Sequence, residues 1–226
     1  MFCPNCGNKI SDDANFCDSC GRAPEKGEKL TKEVTGEDKK MDLANQLWKK
    51  FLEIARAEDD KAKEYRNLSS DAIWELLARF SHNSFNELIE KHKIDLDGQP
   101  YRVVEAIKSY LTSFALNSYQ VFITEKLLKK DKFGKANIKD PEILAEEWKR
   151  VFLNHSNKII TIPEDVTVVL DAINGQIADG LFNNNPTLKE LPKAVVDSIK
   201  DKLIQQLIYG YLLGVAEDNL RTKGRP

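Results

Sequence analysis

From about Met41 onward, apolar residues recur at intervals of three and four, the spacing that lines one face of an α-helix. Leu43, Leu47, Phe51 and Ile54 mark a first helix running to about Tyr65, with polar last turns around Glu58, Asp59 and Asp60. Ser69 or Ser70 can cap a second helix holding Ile73, Leu76, Leu77 and Phe80, and Ser84-Phe85-Asn86-Glu87 reads as a capping box that opens a third. Asp95 to Pro100 is a turn punctuated by Gly98 and Pro100. A long helix follows from about Tyr101 to Lys130, where Val104, Ile107, Leu111, Phe114, Val121, Phe122 and Leu128 make a face wide enough to be central to the core. Asp140-Pro141 begins the next in the order cap, then proline. Thr161-Ile162-Pro163-Glu164 reads as another capping box, and the helix it opens closes at Asn183-Asn184-Asn185-Pro186. The last runs from about Leu191 to Asn219. No stretch alternates well enough to build a sheet, so the pattern predicts an all-α helical domain over residues 41–226, with about seven helices.

The periodicity stops short of the N-terminus. Residues 24–40 interleave lysines 26, 29, 32, 39 and 40 with acids 25, 28, 33, 37 and 38 and carry almost nothing apolar, which predicts a solvated, charged flexible linker. Ahead of it, residues 1–23 hold all four cysteines of the chain: Cys3 and Cys6, then Cys17 and Cys20, each pair spaced Cys-x-x-Cys and each followed by glycine, Gly7 and Gly21. Two intervening residues let one tight turn aim both sulfurs at a single ion, and glycine after the turn adopts a left-handed backbone without steric cost. Ile10 and Phe16 offer a small apolar cover between the two knuckles. A segment this short cannot bury enough surface to fold alone, so its folding free energy must come largely from the metal.

Other uses of the thiols weaken on inspection. With no signal peptide ahead of Cys3 and no cysteine after Cys20, a disulfide framework is not expected. A redox pair would not come duplicated with matched glycines. Four thiolates suit iron as well as zinc, and ligand type alone does not separate them. The expectation is one structural Zn2+ on Cys3, Cys6, Cys17 and Cys20; with no coordination position left for water, catalysis at the metal is disfavoured. At these residues, Cys3-Pro4-x-Cys6-Gly7 and Phe16-Cys17-x-x-Cys20-Gly21, the sequence resembles the short N-terminal zinc-ribbon family of bacterial and archaeal proteins. The resemblance implies the metal and a zinc ribbon of β-hairpin knuckles, with interaction as the usual role. It implies no activity and ends near residue 23.

Composition narrows the rest. Of 226 residues 31% are charged with a net charge of −2, so no general nucleic-acid footprint exists, and no apolar run approaches the roughly 18 residues that cross a bilayer. A chain off the membrane and, with reduced thiols, in the cytoplasm is expected. One local excess of four positive charges stands out: Lys126, Lys129, Lys130, Lys132, Lys135 and Lys139 against Glu125 and Asp131, a candidate phosphate or nucleic-acid contact. The plainer reading is that these lysines complement a helix dipole. His82, His92 and His155 share no metal spacing and read as surface or cap residues. Gly210 and Gly214 put two small residues on one face of an apolar helix, the mark of another helix packed closely, in the core or across a homo-oligomer interface through 191–219. No phosphate loop, nucleophile elbow or dinucleotide fingerprint appears. The expected function is therefore a non-enzymatic zinc-ribbon adaptor or regulatory protein acting on a protein partner. The alternative is a nucleic-acid-associated factor of transcription, replication or translation using the basic 126–139 segment. An enzyme with a site in the helical core comes third.

Overall fold

A computed structural model describes residues 36–56, 71–96, 98–129 and 138–223. The four cysteines, most of the expected linker, the expected end of the first helix near Tyr65 and the middle of the basic segment lie outside the described residues. The chain divides into two compact units, Met1–Asp38 and Lys39–Pro226. The described residues form six α-helices and no strand: α1 Gly36–Arg56, α2 Asp71–Leu96, α3 Tyr101–Leu128, α4 Pro141–Ser156, α5 Glu164–Asn184 and α6 Lys193–Lys223, with one 3₁₀ turn, Pro186–Glu190, between the last two. The first helix thus opens inside the stretch expected to be linker.

Two of the expected boundaries move, each for a local reason. Ser84 opens no helix, because α2 runs through it and breaks from helical geometry only at His92 (φ −129°, ψ 35°). The Ser84 hydroxyl is buried and accepts from Gln206 Nε2 at 2.7 Å, so a cross-core bond takes the oxygen a cap would have used. Thr161 is likewise no cap: α5 begins at Glu164 behind Pro163. A residue preceding proline is pushed out of the α region, so Ile162 cannot be the first helical residue. Asp140 behaves as expected, its carboxylate accepting from Glu142 N at 2.9 Å ahead of Pro141. Asn185 ends α5 and donates its amide to Leu181 O at 2.9 Å.

The core is built on α3 and α6, which run side by side in the same direction. A Cβ placed on Gly210 would sit 1.9 Å from Ala115 O, and one on Gly214 would sit 2.3 Å from the Phe122 ring. The two glycines are therefore used inside the core, where Gly210 lets backbone touch backbone and Gly214 makes room for the Phe122 ring. Helix α2 lies antiparallel to both, with Ser81 against Thr112 on α3 and Ser84 and Glu87 against Gln206 and Lys202 on α6. Ile107, Leu111, Phe114, Leu203, Leu212 and Leu213 fill the interior and are fully buried.

The helices repeat. Residues 101–129 of α3 align without a gap on 193–221 of α6: Val103-Val104-Glu105-Ala106-Ile107-Lys108 matches Val195-Val196-Asp197-Ser198-Ile199-Lys200, and Leu111, Tyr119, Glu125 and Leu128 match Leu203, Tyr211, Glu217 and Leu220. Each helix follows a proline whose carbonyl accepts from the third and fourth residues on, Pro100 from Val103 and Val104, Pro192 from Val195 and Val196. The apolar positions Ile73, Leu76, Leu77, Phe80 and Leu88 of α2 recur as Val166, Val169, Leu170, Ile173 and Leu181 of α5, all buried. In α1, Trp48-Lys49-Lys50-Phe51-Leu52 recurs in α4 as Trp148-Lys149-Arg150-Val151-Phe152, and Ala44, Leu47 and Phe51 are buried where Leu144, Glu147 and Val151 are. Contacts between α3 and α6 exchange under the same correspondence. The Ala115–Gly210 approach becomes the Ser118 hydroxyl donating to Leu207 O, and Tyr119 on Glu217 becomes Tyr211 on Glu125. Helices α2 and α3 thus recur as α5 and α6 about an approximate two-fold axis between α3 and α6, and α1 and α4 share one apolar pattern.

Candidate metal centre, basic segment and cleft

At the end of α3, Lys126 pairs with Asp218 of α6 at 2.8 Å and lies 5.6 Å from the centre of the Phe122 ring. Lys129 pairs with Glu125 at 2.5 Å. Lys139 is exposed, and Lys130, Lys132 and Lys135 lie outside the described residues. Lys126 thus ties α3 to α6 and Lys129 pairs along α3 itself, so neither stands free for a phosphate.

Beneath them are two buried tyrosine–glutamate pairs, the repeat of one arrangement. Tyr211 donates to Glu125 at 2.7 Å, and Tyr119 donates to Glu217 at 2.6 Å, with Arg221 on the far side of Glu217 at 2.9 Å. Burial, then the facing carboxylate, raises both phenols above the ordinary tyrosine range. Burial also raises the Glu217 carboxyl, against the opposing pull of Tyr119 and Arg221. These are structural clasps: their polar atoms face each other and are shut off from solvent.

The histidines are not alike. His82 meets Asn86 on the surface at 3.0 Å, and His155 Nδ1 donates to Ile160 O at 3.1 Å beyond the end of α4. His92, expected at the surface or at a cap, instead sits half-buried at the break in α2, its Nε2 2.9 Å from Ser198 Oγ. Lys91 Nζ reaches the same oxygen at 3.0 Å. This node borders a cleft of about 490 Å³ between α2, α4 and α6. Nothing in the sequence pointed to it, because its residues come from three helices and match no motif.

The four cysteines have no described geometry, so the metal is judged on donor chemistry: four thiolates, two per Cys-x-x-Cys, saturate a tetrahedral ion. Among the described residues no group of three or more His, Cys, Asp or Glu side chains could hold a metal. Residues 2–23 match the zinc-ribbon domain. The zinc ribbon covers about a tenth of the chain, and the helical remainder matches no family. No curated protein and no solved structure matches the chain. No helix among the described residues is long and apolar enough to cross a membrane.

Proposed function

We propose that the chain is a non-enzymatic adaptor or regulatory protein of a reducing compartment, in which the zinc ribbon presents a small rigid surface to a protein partner and the helical domain anchors it. The carrying observation is the zinc-ribbon match over residues 2–23 with its doubled Cys-x-x-Cys. In this reading Cys3, Cys6, Cys17 and Cys20 hold one zinc, which supplies folding energy to a segment too short to fold otherwise. Four thiolates and one Zn2+ carry a net charge of −2, and Lys9, Arg22 and the amino terminus only balance Asp12, Asp13 and Asp18, so phosphate is repelled and a protein surface is favoured. A nucleic-acid role through the basic segment loses support from Lys126 and Lys129, each already paired with a carboxylate.

The test is an affinity capture of the tagged chain with and without nuclease, wild type beside Cys17→Ser/Cys20→Ser, with zinc measured on the purified protein. One zinc per chain, lost in the variant, and a nuclease-resistant protein partner that disappears with it are expected. Nucleic acid in the eluate that the cysteine change leaves untouched would overturn the reading.

A further inference from the structure

The α2/α4/α6 cleft has an apolar floor and an ionic wall. Phe152, Ile208 and Tyr209 line the floor, continuous with an aromatic cluster in which Trp148 stacks on Phe152 at 5.2 Å and meets Phe80 at 4.4 Å. Lys91 and Ser198 stand on one wall, with Asp201 one helical turn beyond Ser198 on the same face of α6. Lys202 bridges to Glu87 across the cleft. Among the described residues Asp201 has no hydrogen bond or ion pair, and the Lys91 ammonium meets only the Ser198 hydroxyl.

The internal repeat shows that packing does not require these charges. In the other half, the positions of Glu87, Lys91, His92, Ser198, Asp201 and Lys202 are taken by Gly180, Asn184, Asn185, Ala106, Ser109 and Tyr110. There Tyr110 lies over Gly180, its hydroxyl 3.4 Å from where a Cβ would be, and accepts from Asn184 Nδ2 at 3.5 Å. The same packing of two helices therefore forms with a neutral tyrosine plug between α3 and α5 and with an open ionic cleft between α6 and α2. The volume falls in the range of small-molecule sites, roughly 300–1,000 Å³.

From this geometry we infer that the cleft binds a zwitterion with a large apolar side chain, the chemistry of an aromatic or branched α-amino acid. Its carboxylate is received by Lys91 and the Ser198 hydroxyl, which His92 Nε2 holds in place from behind. Its ammonium is received by Asp201, and its side chain lies on Phe152, Ile208 and Tyr209. Charges of both signs on the wall disfavour a multiply charged anion such as a phosphate ester. They favour a ligand of no net charge whose two ends are as close together as Ser198 and Asp201.

The full-length protein is titrated with L-phenylalanine, and in parallel with phenylpropionate, which lacks the ammonium, and phenethylamine, which lacks the carboxylate, by calorimetry and by intrinsic tryptophan fluorescence. L-Phenylalanine is expected to bind, with each analogue roughly tenfold or more weaker, since each forfeits one charge-assisted contact. Asp201→Asn erases the preference over phenylpropionate, Lys91→Gln the preference over phenethylamine, and the double change Glu87→Gly/Lys202→Tyr, which copies the plug of the other half, abolishes binding of all three. Absence of L-phenylalanine binding at low millimolar concentration, equal binding of the three compounds, or binding that survives Glu87→Gly/Lys202→Tyr would each overturn the inference. Asp201 is exposed, so Asp201→Asn stays folded and keeps the test decisive if the double variant does not. Failure here leaves the zinc-ribbon reading standing, because the cysteines take no part.

Discussion

Gly210→Ala puts the parallel packing of α3 and α6 to its most direct trial. In an exposed helix the change would stabilise by about 0.8–1 kcal/mol, since alanine is the better helix former. Here the added methyl would sit 1.9 Å from Ala115 O, where an ordinary contact needs 3.4 Å or more, and the obstacle is backbone that cannot swing aside. The helices must part by more than an ångström. Overpacking of a close-packed interior costs about 1–3 kcal/mol, with the upper end expected against backbone, and parting the helices also loosens the Ser118 bond to Leu207 O, worth about 1 kcal/mol. Setting the propensity gain against these leaves a net loss of about 2–3 kcal/mol, a fall in Tm of roughly 4–12 °C for a domain of this size. Gly175→Ala is the matched control: Gly175 lies in α5 with nothing within 4 Å of the new methyl, so that variant should match or exceed wild type by up to about 1 kcal/mol. Urea denaturation followed by circular dichroism gives both numbers. Were Gly210→Ala to land within about half a kcal/mol of wild type, the close approach of the two helices would be refuted.

Three further outcomes follow from single groups. Burial raises the Glu217 carboxyl above 4.5, so the native state holds its proton longer than the unfolded chain. Stability contributed by the neutral form is therefore complete below the ordinary carboxylate value and declines as pH rises through the native one, so Tm measured against pH should fall over that window and the slope should flatten in Glu217→Gln. Removing the cap at α4 with Asp140→Ala should cost about 1 kcal/mol, and Asp140→Asn only a fraction of that, by the same denaturation assay. Chelation of the metal should expose four titratable thiols per chain without lowering the α-helical ellipticity of the helical unit, which forms a compact unit of its own from Lys39 onward. A parallel loss of helix signal would show that the metal stabilises more than the ribbon.

Much of this chain was determined one turn or one face at a time, and that much the sequence alone decided. The zinc ribbon is legible because its chemistry is local: two thiolates per tight turn, with glycine where the backbone demands it. The all-α class is equally plain in the three-and-four spacing, and Asp140-Pro141 starts a helix by a rule that spans two residues. Ser84 and Thr161 were misleading because a capping motif is only an offer: a distant glutamine took the Ser84 oxygen, and a proline barred the residue before it from the helix. The glycine pair announced a close helix, but only the tertiary structure decided that the neighbour is α3 of the same chain. Even the repeat escaped notice along the sequence, since unequal loops shift its register from 100 residues between α1 and α4 to 92 between α3 and α6, and most matched positions share only apolar character. The cleft was least legible of all. Lys91, His92 and Ser198 are ordinary residues on two helices more than a hundred positions apart, and only folding brings an ammonium, an imidazole and a hydroxyl to one point. Local chemistry is written in neighbouring residues, whereas a site shared by several helices exists only once burial of their apolar faces has fixed how they lie against one another.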